Sequence, residues 1–360
     1  MNFKEICETL IAHKASDAFL VQGGPLWARI HSEVRIIGSY LFTEKDIEKF
    51  VSEVTDESDR EMLKENKSCE VAVNHTDLWR FRIGIFYQRD TVSIALRVIN
   101  LTLPSFEELN LPAAALKKMC HERRGLILLT GLTGSGKSTA IATMIEYINQ
   151  NFGRHIMTIE EPIEFTFTDK KSIINQREIN RDVRSYQKAL KETAMHSPDV
   201  LYVGNIRDRE TCYAALSAAE TGVLVFSTVH TINASSTIER IVNFFPPEQQ
   251  NLIFTQLSFF LKAVVSLRLL PRSDAEGLIP AYEIMTLSHT VSSLISEHKI
   301  WDIPEYMATG EIYNMLTFNQ CLWELIQKKR ITVETALQNS DERENLTLLM
   351  KKENFRPERQ

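Results

Sequence analysis

Alternation of apolar and polar residues is strongest in the first hundred positions of the chain. The segments WRFRIGIFYQ (79–88) and DTVSIALRVI (90–99) alternate on either side of Arg89-Asp90, and this pattern predicts a β-hairpin. Charged residues with helical spacing fill positions 43–65. Together these patterns predict a small α+β domain.

From Arg124 onward the pattern changes to short apolar runs that alternate with helical segments. The strand-like runs are 126–130, 155–160, 200–204 and 222–228. This order is typical of an α/β sheet with buried parallel strands. Beyond Pro271 the spacing is mostly helical, as in FNQCLWELIQKKR.

The change of pattern predicts where one domain ends and the next begins. The segment NLTLPSFEELNLP has two prolines and no clear period, which indicates a linker. The predicted divisions are an N-terminal domain at 1–99, the linker at 100–112, an α/β core at 113–270 and a mostly helical region at 271–360. The charged final segment, KKENFRPERQ, is predicted to be frayed.

Composition narrows the class of protein. The net charge of −6 over 360 residues argues against broad electrostatic binding of nucleic acid. Five scattered cysteines without a C-x-x-C pair predict neither a zinc site nor a disulfide framework. The apolar stretch Leu252–Leu270 is interrupted by Lys262 and Arg268, so no membrane span is predicted and the protein is expected to be cytosolic.

The segment GLTGSGKS fits the phosphate-binding pattern G-x-x-x-x-G-K-[ST], with an apolar run before it and helical spacing after it. Its backbone N–H groups would surround the phosphates of a nucleotide. Lys137 would offset the charge of the β- and γ-phosphates, and Ser138 would be a ligand of Mg²⁺. The predicted nucleotide-binding residues are Gly131, Leu132, Thr133, Gly134, Ser135, Gly136, Lys137, Ser138 and Thr139.

Polar residues end three of the other predicted strands. Glu160, Glu161 and Glu164 follow one strand, where they would hold Mg²⁺ through water or orient an attacking water, or would form a solvated acidic turn. His230 follows another strand, either as a sensor of the γ-phosphate or as a structural hydrogen-bonding residue. Asn205 stands at a strand tip where a nucleotide-hydrolysing enzyme usually has a carboxylate.

The predicted hairpin places Arg82 opposite Arg97 on its non-core face. Facing like charges destabilise a strand pair, and an anion between them would relieve the repulsion. That anion would be the nucleotide of a neighbouring subunit, as for arginine fingers. The alternative is two solvated arginines that point apart.

Several segments, in order and spacing, resemble the type IV pilus retraction ATPases, the PilT/PilU branch of the secretion ATPases. They are GLTGSGKST, TIEEPIEF, PDVLYVGNIRD, AAETGVLVFSTVHTINA, RIVNFFP and YEIM. The resemblance spans nearly the whole chain and implies a RecA-like P-loop ATPase core preceded by a PAS-like α+β domain. It also implies a homohexamer that binds ATP and Mg²⁺ and hydrolyses ATP at subunit interfaces to drive pilus disassembly in twitching motility.

The same resemblance implies the partners, the location and the roles of individual residues. The ring would act at the cytoplasmic face of the inner membrane, on a pilus platform protein and beside a second PilT-type ATPase, without nucleic acid. The family's acidic box falls on Glu160, Glu161 and Glu164, and its histidine box on His230. The arginines that reach a neighbour's nucleotide would be Arg82 and Arg97.

The chain departs from the family pattern where the chemistry is most sensitive. Asn205 replaces the Walker B glutamate, and TVSSLISE (290–297) lacks the two arginines of the PilT segment. An amide can align water but cannot accept its proton at neutral pH, so turnover is expected to be reduced. Asp208, Glu160 and Glu161 are the nearby carboxylates that would take over.

Two functions therefore remain open from the sequence, and a third class is disfavoured. The first is an active hexameric retraction ATPase. The second is an ATP-binding accessory ring with weak or no hydrolysis that assists a PilT-type motor. The third, a DNA-translocating RecA-like protein, is disfavoured by the acidic balance and the pilus-family motifs.

Overall fold

The computed structural model describes residues 1–30, 33–76, 79–100, 103–310 and 314–352. The chain divides into two compact units, Met1–Leu103 and Pro104–Gln360. Parts of the predicted linker and of the predicted frayed tail, 101–102 and 353–360, lie outside the described residues.

The N-terminal unit is an antiparallel sheet with three helices. Its elements are α1 (Phe3–Ala12), β1 (Asp17–Val21), β2 (Pro25–Ile30), β3 (Glu33–Leu41), α2 (Glu44–Val54), α3 (Glu57–Asn66), β4 (Ser68–Thr76), β5 (Trp79–Gln88) and β6 (Thr91–Asn100). The six strands are ordered β3-β2-β1-β6-β5-β4. Capping boxes begin all three helices, so each start is fixed by side chains three residues apart. The unit has the α+β composition that the alternating pattern predicted.

The predicted hairpin is confirmed as β5 and β6. Arg89 and Asp90 both have positive φ, 46° and 61°, as a two-residue turn that follows the twist of the strands requires. The register places Arg82 directly opposite Arg97, also as predicted. Alternate residues of β5 and β6 are fully buried against α1 and α2, so one face forms the core and the arginine face lies outside it.

The C-terminal unit is a seven-stranded sheet with helices on both faces. It begins with α4 (Ala113–Cys120), β7 (Gly125–Thr130), α5 (Lys137–Asn151), β8 (His155–Glu160), β9 (Ile173–Glu178), α6 (Tyr186–His196), β10 (Val200–Val203), α7 (Arg209–Glu220) and β11 (Leu224–Val229). It continues with α8 (Ala234–Asn243), α9 (Pro247–Phe260), β12 (Leu261–Pro271), β13 (Leu278–Thr286), α10 (His289–Ser296), a 3₁₀ turn (Ile300–Asp302), α11 (Ile303–Ala308), α12 (Phe318–Gln327), α13 (Val333–Asn339) and α14 (Arg343–Lys352).

The strand order is β13-β12-β7-β11-β10-β8-β9, parallel except for β13, which is antiparallel to β12. The four predicted strands correspond to β7, β8, β10 and β11, and the parallel sheet is confirmed. Three strands of the sheet were not predicted: β9 and β13 at its edges, and β12 between β13 and β7. Pro280 lies within β13, where its missing N–H is tolerated because β13 is an edge strand. The region predicted as mostly helical beyond Pro271 therefore begins with a strand.

Two apolar clusters cover the two faces of this sheet. One contains α4 and α5, and the other contains α6 to α10. Because β7, β8, β10 and β11 are parallel, their carboxyl ends meet at one edge, where α/β proteins bind ligands. The P-loop, the acidic segment, Asn205 and the segment around His230 each follow one of these four ends.

The apolar stretch Leu252–Leu270 does not form one continuous element, because it divides between α9 and β12. Among the described residues, no helix combines the length and the apolar character needed to cross a membrane. The five cysteines are buried, and none of them is joined to another in a disulfide.

Candidate nucleotide-binding and catalytic site

The turn between β7 and α5 has the backbone of a phosphate-binding loop. Gly131, Gly134 and Gly136 have φ of 142°, 79° and 90°, conformations that side chains rarely adopt. A Cβ on Gly131 would lie 2.4 Å from the carbonyl oxygen of Leu267 and 2.5 Å from Oγ of Ser135. The loop therefore depends on glycine, and it leads directly into the N-terminus of α5, where the helix dipole favours an anion.

Lys137 is the first residue of α5 and is buried. Its Nζ donates hydrogen bonds of 2.8 Å to the carbonyl oxygens of Gly131 and Leu132. Burial lowers the pKa of its ammonium group, and the charge of Glu164 opposes that shift. The cation is thus held inside the loop, in position to offset phosphate charge.

Three buried polar atoms at this sheet edge have no hydrogen-bond partner among the described residues: Oγ1 of Thr130, Oγ of Ser135 and Oδ1 of Asn205. Buried polar groups are rarely left unpaired, so each indicates a missing partner. ATP phosphates, Mg²⁺ and its water ligands would supply such partners. Ser138, half-buried in the first turn of α5, is the residue that would ligate Mg²⁺.

Glu160 ends β8 and is buried, with 6% of its surface exposed. Its Oε1 accepts hydrogen bonds from Oγ1 of Thr158 at 2.7 Å and from Nε2 of Gln176 at 3.3 Å. Burial raises the pKa of this carboxyl to about 7, although both hydrogen bonds act in the opposite direction. A carboxyl with this pKa can gain or lose a proton near neutral pH, as a general base requires.

The other two carboxylates of the acidic segment are exposed and differ in their surroundings. Glu161 forms an ion pair with Arg207, with 3.3 Å between Oε2 and Nη1. Glu164 lies near enough to Lys137 and Glu160 for its charge to influence the pKa of both. The segment is therefore not only a solvated turn, because one of its members, Glu160, is buried at the carboxyl end of β8.

Asn205 follows the tip of β10 and is 8% exposed. Gly204 before it is closely packed, since a Cβ there would lie 3.0 Å from Oη of Tyr186 and 3.3 Å from the carbonyl oxygen of Ile159. Asp208 accepts a hydrogen bond of 2.8 Å from the backbone N–H of Thr211 and caps α7. Asn205 is thus fixed at the strand tip, while the nearby Asp208 serves the helix.

His230 follows β11 at the same edge of the sheet. Burial lowers the pKa of its imidazole, and the positive charges of Lys137, Arg207 and Arg240 add to the shift. Both effects favour the neutral form of the imidazole. A neutral histidine can both donate and accept a hydrogen bond, which suits a group that senses phosphate.

Arg82 and Arg97 lie in the N-terminal unit, and each pairs with a carboxylate on the strand next to its own, β4 for Arg82 and β1 for Arg97. Arg82 forms a two-point ion pair with Glu70, in which Nη2 and Oε2 are 3.0 Å apart. Nε of Arg97 lies 3.2 Å from Oδ1 of Asp17, which also pairs with Arg29. The arginines are therefore neither unpaired nor joined by an anion, and these carboxylates relieve their mutual repulsion.

Sequence reasoning did not single out several residues that shape this site. Thr158 and Gln176 hold Glu160, Arg207 pairs with Glu161, and Tyr186 packs over Gly204. Thr158 precedes Glu160 by two residues, so it faces the same side of β8, and period-two spacing would have indicated it. Gln176 lies on the unpredicted strand β9, and the sequence carried no signal for its role.

Known proteins similar to this chain belong to the family that the sequence motifs indicated. Residues 49–354 match the family model described as Type II/IV secretion system protein. The chain is 35% identical to the type IV pilus ATPase PilU of Pseudomonas aeruginosa over 351 residues, which cover 98% of this chain and 92% of that protein. It is 34% identical to the PilT retraction ATPase of the same organism, covering 96% of this chain and all of that one.

A solved structure of the pilus retraction motor PilT with bound ADP has the same fold. It superimposes with a TM-score of 0.91 at 40% identity and covers 97% of this chain and 99% of that one. The α/β architecture with its mixed sheet is therefore shared with that protein. The bound ADP belongs to the structure of that relative.

Proposed function

The chain belongs to the Type II/IV secretion system protein family, and we propose that it is an ATPase of type IV pilus retraction that acts in twitching motility. The observation that carries the proposal is the convergence of Lys137, Glu160, Asn205 and His230 at one sheet edge around a glycine-dependent loop. Similarity over nearly the whole chain supports the pilus role rather than another use of a P-loop.

The residues of the site have separable roles in the proposed hydrolysis. Residues 131–139 would hold the ATP phosphates, with Lys137 offsetting their charge and Ser138 ligating Mg²⁺. Mg²⁺, when bound, supplies positive charge beside the phosphates. Glu160, together with Glu161 and Glu164, would orient water or accept its proton.

The remaining two residues of the site would complete the hydrogen bonding. Neutral His230 would contact the γ-phosphate. Asn205 would align the attacking water through its unpartnered Oδ1, without accepting a proton.

We further propose a homohexamer in which Arg82 and Arg97 of one subunit reach the nucleotide of a neighbour. Their position on the exposed face of a hairpin supports this, because an exposed arginine can leave its carboxylate for a phosphate. Exposed ion pairs contribute only about 0–1 kcal/mol, so exchanging Glu70 or Asp17 for a phosphate costs little.

We propose the same domain bounds that the sequence predicted. The N-terminal residues 1–99 would be PAS-like, 100–112 the linker, 113–270 the RecA-like core and 271–360 the mostly helical region. The division of the compact units at Leu103 and Pro104 supports a boundary inside that linker. The ring would work at the cytoplasmic face of the inner membrane against a platform protein and beside a second PilT-type ATPase.

One observation favours the second candidate function, an accessory ring that binds ATP and hydrolyses it weakly. Asn205 removes the carboxylate that would take a proton from water, while the phosphate-binding loop is complete. Binding and hydrolysis therefore need to be measured separately.

The test uses the purified full-length chain, with ATP affinity measured by calorimetry and phosphate release measured with Mg²⁺. We expect binding that Lys137→Ala abolishes, because the variant removes the cation held inside the loop. Steady phosphate release that Lys137→Ala also abolishes supports the motor, and binding without release supports the accessory ring. Unchanged affinity in Lys137→Ala would refute the assignment of the loop.

A further inference from the structure

Strand β12 runs directly behind the phosphate-binding loop. The carbonyl oxygen of Leu267 closes the space beside Gly131, and Cδ1 of Leu269 lies 4.0 Å from where a Cβ on Gly136 would be. Arg268 stands between these two residues. Because side chains alternate along a strand, Arg268 points away from the two contacts that support the loop.

The guanidinium of Arg268 joins three segments that are distant in sequence. Its Nη2 donates to the carbonyl oxygen of Ile232 at 3.2 Å and to Oδ1 and Oδ2 of Asp341 at 2.8 and 2.6 Å. Its Nη1 donates to the carbonyl oxygen of Asn339, at the end of α13. The group also lies 4.0 Å from the ring centre of Phe318, the first residue of α12.

The first of these segments is the histidine loop, residues 230–233, which carries the proposed phosphate-sensing imidazole. Arg268 holds this loop at the carbonyl of Ile232. Glu283 holds its far end, because its Oε1 accepts a hydrogen bond of 2.8 Å from the N–H of Ala234, where α8 begins. The loop is thus fixed on both sides by charged groups of β12 and β13.

The other two segments belong to the C-terminal helices. Asn339 and Asp341 form the connection between α13 and α14, and Phe318 begins α12. The apolar residues of α12, α13 and α14 pack with β12 and β13 in one cluster. Only arginine offers enough donors in a planar fork to contact two carbonyls and a carboxylate at once.

We propose that Arg268 is a positioning residue that sets the histidine loop and, through Asp341, makes its position depend on the docking of the helices α12–α14. The inference rests on the proposed function, since it concerns the loop that carries His230. Nucleotide at the site and movement of the C-terminal helices then influence each other. By thermodynamic linkage, nucleotide binding should stabilise the 339–341 connection by the same free energy by which this connection stabilises the nucleotide-bound state.

The experiment compares Asp341→Asn and Arg268→Lys with a matched ion pair. Arg177 of β9 and Glu192 of α6 are 2.8 Å apart and have an exposure similar to that of Arg268 and Asp341, and they lie on elements other than the histidine loop and α12–α14. Glu192→Gln is therefore the control. All proteins are full length, and melting temperatures show whether each is folded.

Two readouts separate positioning from simple stabilisation. In hydrogen–deuterium exchange, a non-hydrolysable ATP analogue should protect both 230–233 and 339–352 in the wild type and in Glu192→Gln. In Asp341→Asn the C-terminal protection should disappear. The kcat of Asp341→Asn should fall about 3- to 30-fold, and by linkage its affinity for the analogue should also fall. Arg268→Lys keeps the charge without the planar fork, so its values should lie between those of the wild type and of Asp341→Asn.

The outcomes distinguish this inference from the proposed function. A wild type that binds no ATP analogue would overturn the proposed function. A wild type that binds the analogue without protection of 339–352, or an Asp341→Asn variant that behaves like Glu192→Gln, would overturn the inference alone. If Arg268→Lys does not fold, Asp341→Asn still tests the inference. The Asp341 side chain is one-third exposed, so its replacement leaves no unpaired polar group in the interior.

Discussion

Replacing Asn205 with glutamate tests whether the missing carboxylate limits hydrolysis. The amide ends at a buried strand tip where its Oδ1 has no partner among the described residues. Glutamate would extend about one ångström further toward the γ-phosphate and would add an acceptor for a proton of the attacking water. We therefore expect Asn205→Glu to turn over ATP faster with little change in ATP affinity.

The magnitude follows from the chemistry and from the neighbouring carboxyl. General-base assistance contributes on the order of 10²–10⁴-fold, or roughly 3–5 kcal/mol of barrier. Burial raises the pKa of Glu160 to about 7, and a new carboxyl at a similarly buried strand tip should be shifted in the same direction. A raised pKa means that the new carboxyl ionises as pH rises, so the gain in turnover should increase with pH.

The assay measures steady-state phosphate release at saturating ATP and Mg²⁺ between pH 6 and 9. Asn205→Gln adds the methylene without the charge, and Asn205→Asp adds the charge without the methylene, so the two variants separate reach from basicity. An Asn205→Glu variant that binds ATP as the wild type does but is no faster at any pH would refute the reasoning. A loss of ATP affinity in Asn205→Glu alone would mean that the added charge repels the phosphates.

Two further predictions concern other parts of the chain. When Arg82→Ala or Arg97→Ala subunits are mixed with wild type, ATPase activity should fall further than the fraction of wild-type subunits does. Arg29→Ala, which removes the other partner of Asp17, should not have this effect. Activity strictly proportional to the wild-type fraction for all three variants would exclude a role in trans. The free energy of unfolding should fall as pH rises from about 4.5 to above 7, because the folded state holds the protons of Glu160 and Glu283 more tightly than the unfolded state. With both pKa values near 7, each group contributes on the order of 3 kcal/mol to this fall in the free energy of unfolding. Denaturant unfolding at several pH values should show a smaller fall in Glu160→Gln and in Glu283→Gln than in the wild type.

The parts of the fold that the sequence predicted are those with a local pattern. The hairpin of β5 and β6, the strand before the P-loop and the glycine positions of that loop all follow from period, turn residues or motif spacing. The opposition of Arg82 and Arg97 also followed, because a two-residue turn fixes the register of the strands that it connects.

What the sequence did not predict depends on contacts between distant residues. Strand β13 contains Pro280, and only its place at the sheet edge makes that residue tolerable. Asp341 lies 73 positions beyond Arg268, and no period or motif relates them. Likewise, the raised pKa of Glu160 comes from burial beneath neighbouring strands, so a carboxylate that looked like part of an exposed acidic turn proved to be enclosed.

These contacts also decide which carboxylate can compensate for Asn205. Asp208 caps α7 through the N–H of Thr211, and Glu161 is paired with Arg207, so neither is free to approach a water molecule without breaking an existing interaction. Glu160 is the remaining candidate of the three, because its hydrogen bonds from Thr158 and Gln176 both reach Oε1 rather than occupying the whole carboxyl. Its pKa of about 7 matches that of an efficient general base at neutral pH. A chain that hydrolyses ATP despite its amide would therefore rely on Glu160, and its rate would rise with pH through 7 as that carboxyl ionises. The Glu160→Gln variant separates the two proposed functions at this point, because it would stop a motor that uses Glu160 as its base and leave an accessory ring that only binds ATP unchanged.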